Sequence, residues 1–239
     1  MSHIQRPHFD PGFAPLALAR PLHGHAAAPP ARGWQAGAKR GIDIVLALAL
    51  LVLGALPMGL IAIWIRLDSR GPALFRQPRI GLHGQPFRML KFRTMHCQAA
   101  APVSPGRTAL CCQATRDDPR VTRAGGVLRR FSIDEWPQLL NVLRGEMSLV
   151  GPRPHAPGTC AGGRPFEEVT ARYAARHLVR PGITGLAQVR GWRGETETEE
   201  KLRRRVESDL EYIETWSLGL DIGILLRTIP AVLHATNAY

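Results

Sequence analysis

The sequence predicts a mainly helical α+β chain, held to a membrane by a re-entrant helical hairpin and carrying one small β-hairpin. Three observations lead there. Residues 44–65 form an uncharged apolar run of about 22 residues, enough for a helix to cross a bilayer core. Residues 68–95 interleave apolar side chains with Gly, Pro and Arg around a turn at Leu82-His83-Gly84-Gln85. Further along, apolar residues recur at helical spacing in several stretches, most clearly 199–216.

The chain has 239 residues, enough for one sizeable core and an appendage. A formal charge of +12 and a pI near 10.8 call for an anionic partner: nucleic acid, acidic lipid or a phosphorylated substrate. The four cysteines (Cys97, Cys111, Cys112, Cys160) show no C-x-x-C pair and no histidine at zinc spacing. Free thiols are expected, with neither a disulfide nor zinc.

Residues 1–38 are rich in Pro, Ala, Gly, His and Arg without periodicity, and read as a disordered basic tail. They show no secretory layout. Residues 39–67 read as the membrane anchor. Lys39 and Arg40 precede the apolar run, and Arg66, Arg70, Arg76 and Arg79 follow it. Positive charge favours the cytoplasmic side, and here it flanks both ends. Pro57, with Gly54 and Gly59 nearby, interrupts helix regularity mid-run. A hairpin hinged at Pro57 that enters and leaves one leaflet satisfies both features. Residues 68–239 then form one catalytic region on the cytoplasmic side. Within it, residues 96–116 carry no motif and read as a variable excursion.

The richest stretch runs from Leu128 to Pro154. Ser132-Ile-Asp-Glu135 fits the S-x-x-E capping box before the apolar residues Leu139, Leu140, Val142 and Leu143, so a helix should begin near Ser132. Pro137 lacks an N–H and could move that start toward Asp134. Spacing alone leaves two readings of the acid pair: a cap with a solvated first-turn acid, or a functional site. Its company favours the second. Arg129 and Arg130 precede it, Arg153 follows in a Pro-bracketed turn, and carboxylates among fixed cations suit phosphate chemistry. Lys91 and Arg93 could bind phosphate oxygens or orient the acid pair by ion pairing. Beyond Pro154, residues 155–164 read as loop. Residues 166–177 have helical spacing, 199–216 form a charged amphipathic helix, and 218–233 form an apolar helix suited to lie at a membrane interface.

Several blocks together resemble the bacterial sugar transferase family, the monotopic phosphoglycosyl transferases. They are Ser69-Arg-Gly-Pro72, Lys91-Phe-Arg-Thr-Met95, Asp118-Pro-Arg-Val-Thr-Arg123, Ser132-Ile-Asp-Glu135, Pro137-Gln138-Leu139, Met147 through Pro154, and Val179 through Val189. Leu56 stands where short members carry Ser before the hinge proline, and Leu186 where Trp is common. The resemblance implies transfer of a sugar-1-phosphate from a UDP-sugar to undecaprenyl phosphate at the cytoplasmic face of the bacterial inner membrane. It also implies the re-entrant anchor. By the same resemblance Asp134 is the nucleophile and Glu135 assists it, the two holding Mg²⁺. Arg129 and Arg153 become the first phosphate ligands, with Lys91, Arg93, Arg180 and Gln188 behind them. The Arg-Gly-Glu-Thr196 segment and Gly151-Pro-Arg-Pro-His-Ala156 look most like transferases of glucose- or galactose-1-phosphate that feed exopolysaccharide assembly, with an N-acetylated amino sugar as the alternative. Oligomeric state stays open.

Two other classes compete. A membrane-tethered nucleic-acid binder would explain the charge, but no helix-turn-helix, zinc finger or aromatic platform is present, so no nucleic acid is expected. A silent scaffold would not need the Asp134-Glu135 pair.

Overall fold

A computed structural model describes residues 33–96, 118–194, 196 and 198–233. Most of the expected basic tail and nearly all of the 96–116 excursion lie outside the described residues.

Helix α1 (Trp34–Asp68) contains the whole apolar run and is the one described helix long and apolar enough to cross a membrane. It starts inside the stretch assigned to the tail. The anchor expected to hinge at Pro57 is one helical element with Pro57 inside it. Proline removes a single i→i−4 bond, and the long apolar run on either side keeps the helical path. Both ends of α1 are fastened to the same body. At the start, Lys39 bonds Asp221 at 2.6 Å and the Val150 carbonyl at 3.2 Å. Arg40 donates to the Val142 and Leu143 carbonyls, and buried Asp43 accepts from Ser148 Oγ and Leu149 N. At the far end, Asp68 accepts from Ala124 N, and Arg93 closes the helix terminus. Between these ends Val52, Leu53 and Leu56 are 68–78% exposed, a face with no protein on it.

Strands β1 (Leu74–Ile80) and β2 (Pro86–Phe92) form the expected antiparallel hairpin, paired from Leu74↔Phe92 to Ile80↔Pro86. Helix α2 (Arg123–Arg130) starts at Thr122, whose hydroxyl accepts from Gly125 N. It crosses so close to the end of β2 that a Cβ on Gly125 would lie 2.1 Å from the Thr94 carbonyl oxygen. Helix α3 (Gln138–Arg144) ends at Gly145, in the left-handed region at φ 84°, as a helix-terminating glycine does. Strand β3 (Ser148–Val150) pairs in parallel with β6 (Gly182–Thr184). The pair fixes where the Gly151-Pro152-Arg153 turn emerges.

Between them lie the two-residue strands β4 (Cys160–Ala161) and β5 (Arg164–Pro165), the short helix α4 (Phe166–Val169) and a 3₁₀ turn (Tyr173–Leu178). One helix over 166–177 does not form, because Thr170 takes an extended conformation at ψ 124°. Cys160 is disulfide-bonded, correcting the expectation of free thiols. Helix α5 (Leu186–Val189) leads into the loop before α6 (Glu199–Thr215) and α7 (Leu218–Leu233). The periodic residues Leu202, Val206, Leu210 and Ile213 of α6 are buried, as their spacing requires, and join Val142, Met147, Phe166 and Tyr173 in the main core.

Candidate active site

The acid pair sits on a strained turn. Ser132 has φ 56°, a left-handed conformation unusual outside glycine, and Ile133–Glu135 form one 3₁₀ turn. The capping box does not form. Pro137 has no N–H for the Ile133 carbonyl, which takes the Trp136 N–H instead, and α3 begins only at Gln138. Ser132 Oγ accepts from Arg193, and the Glu135 carboxylate turns away from the helix start toward two cations.

Glu135 accepts from Lys91 Nζ at 3.1 Å and from Arg153 Nη1 at 3.0 Å, with a second, closer contact to Arg153 Nη2. Burial alone would raise its carboxyl pKa. Arg153 and Lys91 outweigh burial and hold it well below the usual carboxylate range. Lys91 is pushed down by the same burial, opposed by Glu135 and Asp134. The neighbouring acid differs. Asp134 is 7% exposed and accepts no hydrogen bond among the described residues. Burial, reinforced by Glu135 and opposed by Lys91, Arg129 and Arg153, raises its pKa to about 6. Two adjacent carboxyl groups are thus driven apart, which is how a site separates a permanent anion from a group that titrates near neutrality.

The expected ligands divide. Arg153, Lys91 and Arg129 are in the site. Arg129 Nε donates to Thr94 Oγ1 at 3.0 Å, and its terminal nitrogens have no hydrogen bond among the described residues. Gln188 reaches the edge: its Nε2 donates to the Ile183 carbonyl, which Arg153 Nη1 also contacts. Arg93 does not belong with them. It is 4% exposed, and its nitrogens donate to Ser69 Oγ and the carbonyls of Ile65, Ser69, Arg70, Gly71 and Pro72. Those acceptors lie at and beyond the end of α1, where carbonyls run out of intrahelical partners, so Arg93 is a helix-terminus clamp. Arg180 is exposed and bonds the Gly145 carbonyl, with no hydrogen bond or ion pair to the acid pair or its cation partners among the described residues.

Two cations were missed by sequence reasoning. Arg79 donates to the Pro154 carbonyl, and burial and Arg153 lower its pKa to about 10 while Glu135 opposes them. It shares a hairpin face with Lys91, as the two-residue period of a strand would have indicated. Arg193 lies in the Arg190-Gly-Trp-Arg-Gly194 loop and was not assigned a role. Among the described residues no cluster of three His, Cys, Asp or Glu side chains exists. The acid pair offers the hard oxygen ligands that Mg²⁺ prefers, provided that substrate phosphate and water complete the shell. The open acceptor is Asp134, since both Glu135 oxygens are engaged.

The family model described as bacterial sugar transferase matches residues 34–235. Among curated relatives, a UDP-glucose:undecaprenyl-phosphate glucose-1-phosphate transferase of Caulobacter vibrioides is 54% identical, over 84% of this chain and 72% of its own. An undecaprenyl-phosphate glucose phosphotransferase of Komagataeibacter xylinus is 50% identical over 88% of this chain, and a UDP-glucose:undecaprenyl-phosphate glucose-1-phosphate transferase of Escherichia coli is 48% identical over 80%. The aligned stretches cover only 38% and 39% of those two longer proteins. A match across nearly the whole described chain, with the acid pair and its cations assembled at one turn, makes this chain a member of the bacterial sugar transferase family.

Proposed function

We propose that this chain transfers glucose-1-phosphate from UDP-glucose to undecaprenyl phosphate on the cytoplasmic face of the inner membrane, initiating exopolysaccharide synthesis. The observation that carries the reading is the unequal acid pair. Asp134 is buried, accepts no hydrogen bond among the described residues and can lose its proton near neutrality, beside a Glu135 that is held ionised by Lys91 and Arg153. An unshared carboxylate is an available nucleophile, and the surrounding cations favour an approaching phosphate.

In this mechanism an Asp134 oxygen attacks the sugar-bearing phosphorus. The bond from that phosphorus to the bridging oxygen breaks, and UMP leaves. The phosphosugar is then an acyl phosphate on Asp134. An oxygen of undecaprenyl phosphate attacks the same phosphorus, the bond to Asp134 breaks, and the carboxylate is restored. Arg129 would meet the non-bridging oxygens with its free terminal nitrogens. Arg153 and Lys91 hold Glu135 and add positive potential without leaving it. Mg²⁺ held by Asp134 and Glu135 would neutralise charge on the donor diphosphate.

The same reading places α1 in the bilayer from one side. Its exposed apolar face needs a non-aqueous partner, while its two ends are fastened to the body that bears the site. A spanning helix would carry Lys39 and Asp43 about 30 Å away from Asp221 and Ser148.

The test is UMP release from UDP-glucose and polyprenol phosphate in detergent, with mass spectrometry of enzyme quenched after donor alone. A phosphohexose adduct on Asp134, absent in Asp134→Asn, is expected. Turnover by Asp134→Asn would overturn the covalent route. A relative from Aeromonas hydrophila, 40% identical, is named for N-acetylgalactosamine phosphate transfer, so UDP-N-acetylgalactosamine is the second donor to assay.

A further inference from the structure

Behind the site lies a buried network that the transfer chemistry does not use. Arg205 of α6 is 5% exposed. Its Nε and Nη2 donate to the Trp192 carbonyl at 3.0 and 2.7 Å, and Nη2 also donates to the Gly194 carbonyl at 2.9 Å. These two carbonyls bracket Arg193, whose guanidinium reaches Ser132 Oγ. Ser132 is the residue with left-handed backbone two positions before Asp134. An unfavourable conformation of this kind persists only where its surroundings hold it.

We propose that Arg205 is a positioning residue for the reaction: by fixing the 192–194 loop it sets Arg193 on Ser132, and so sets the turn that presents Asp134. The inference rests on the transfer proposed above. Arginine suits the task because its planar fork binds both carbonyls at once, which a lysine ammonium on a flexible stem cannot reproduce. A second arginine anchors the opposite side of the site. Arg176, ion-paired to Asp209 at 2.7 Å, donates to the Arg153 carbonyl at 2.7 Å. The His155 imidazole stands between the two guanidinium groups, Nδ1 3.1 Å from Arg176 and Nε2 3.5 Å from Arg205. Burial and both arginines hold its pKa well below the usual value, so it adds no third charge.

The experiment combines Arg205→Lys, Arg193→Ala and the double variant in the full chain, with Leu210→Ala as a control for loosening the same helix. Amide hydrogen exchange and kcat/KM are read well below the melting temperature of every protein. Exchange over residues 132–135 should rise in Arg205→Lys and Arg193→Ala and stay unchanged in Leu210→Ala. For kcat/KM, about a tenfold loss is expected in Arg205→Lys, and the double variant should be no worse than Arg193→Ala, since displacement of about 1 Å can cost up to 10²-fold. Unchanged exchange at 132–135 in Arg205→Lys overturns the proposal, as does a double variant whose loss is the product of the singles. The exchange arm needs no turnover. A wild-type chain that releases no UMP would sink the transfer reading alone, leaving the exchange result to decide this one.

Discussion

The end of α1 and the turn at Asp134 are both polar, buried and built around arginine, yet their charges are used in opposite ways. Around Arg93 every donor meets an acceptor, and most of those acceptors are backbone carbonyls. Around Asp134 the cations Lys91 and Arg153 meet a carboxylate, Glu135, while the adjacent carboxylate has no donor among the described residues. Saturation with carbonyls marks a cation that closes structure. A cation that meets an anion and leaves a second anion bare marks a place where a substrate can still bind. This difference separates Arg93 from Arg153, both of which the resemblance had placed among the phosphate ligands.

The sharpest way to break the comparison is Asp134→Asn. Transfer should fall by at least about 10³-fold, since the amide keeps the shape and loses the nucleophile. Stability should move the other way. A carboxyl raised from its ordinary 3.8 to about 6 binds protons more tightly folded than unfolded, so stability is fully present below about pH 4 and declines as pH rises to about 6. At neutral pH that cost is about 3 kcal/mol, and the asparagine does not bear it. Thermal melting at pH 7.5 should therefore rise by several degrees. A lower melting temperature would mean that Asp134 is a structural acid.

Next come the two arginines. Arg153→Met should lower kcat/KM by about 10²- to 10³-fold, at a smaller cost in stability than the loss of Arg93 because Lys91 still pairs Glu135. Arg93→Met should do the reverse, costing about 3 kcal/mol because it removes the donors that tie five backbone carbonyls together at the end of α1, while turnover per folded molecule stays within about fivefold. Equal effects on both quantities in both variants would erase the distinction. The pH profile follows: kcat/KM should be about tenfold lower at pH 5 than at pH 8, tracking ionisation of Asp134. A profile flat to pH 5 would show that the group titrates elsewhere. The smallest effect belongs to Arg180→Ala, expected within about twofold of wild type in both activity and, by surface position, stability.

Much of the fold was legible because it depends on local periodicity. The β1–β2 hairpin and helices α6 and α7 stand where alternation and helical spacing put them. The acid pair was legible through its motif and the cations around it. Non-local partners were not. Nothing adjacent to Ser132 in sequence tells that its hydroxyl will be taken by Arg193, 61 residues on. Ion pairing of Lys91 with the acid pair was one of two readings of that residue, and the fold realises it at Glu135, 44 residues on, which abandons its cap. Lys39 and Arg40 were read as charges that set topology. They prove also to be donors to Asp221 and to the end of α3, contacts visible only once the chain is folded.

The two fastenings of α1 differ in when the chain can make them. The partners of Asp68 and the clamp at Arg93 lie within about a quarter of the sequence, so that end can close while synthesis is still under way. Lys39 must wait for Asp221, 182 residues later, on the final described helix. The starting end of α1 is thus secured in part by the last of the described helices. A chain stopped before Leu218 would keep the Arg40 and Asp43 contacts at the starting end of α1 and lose the pair between Lys39 and Asp221.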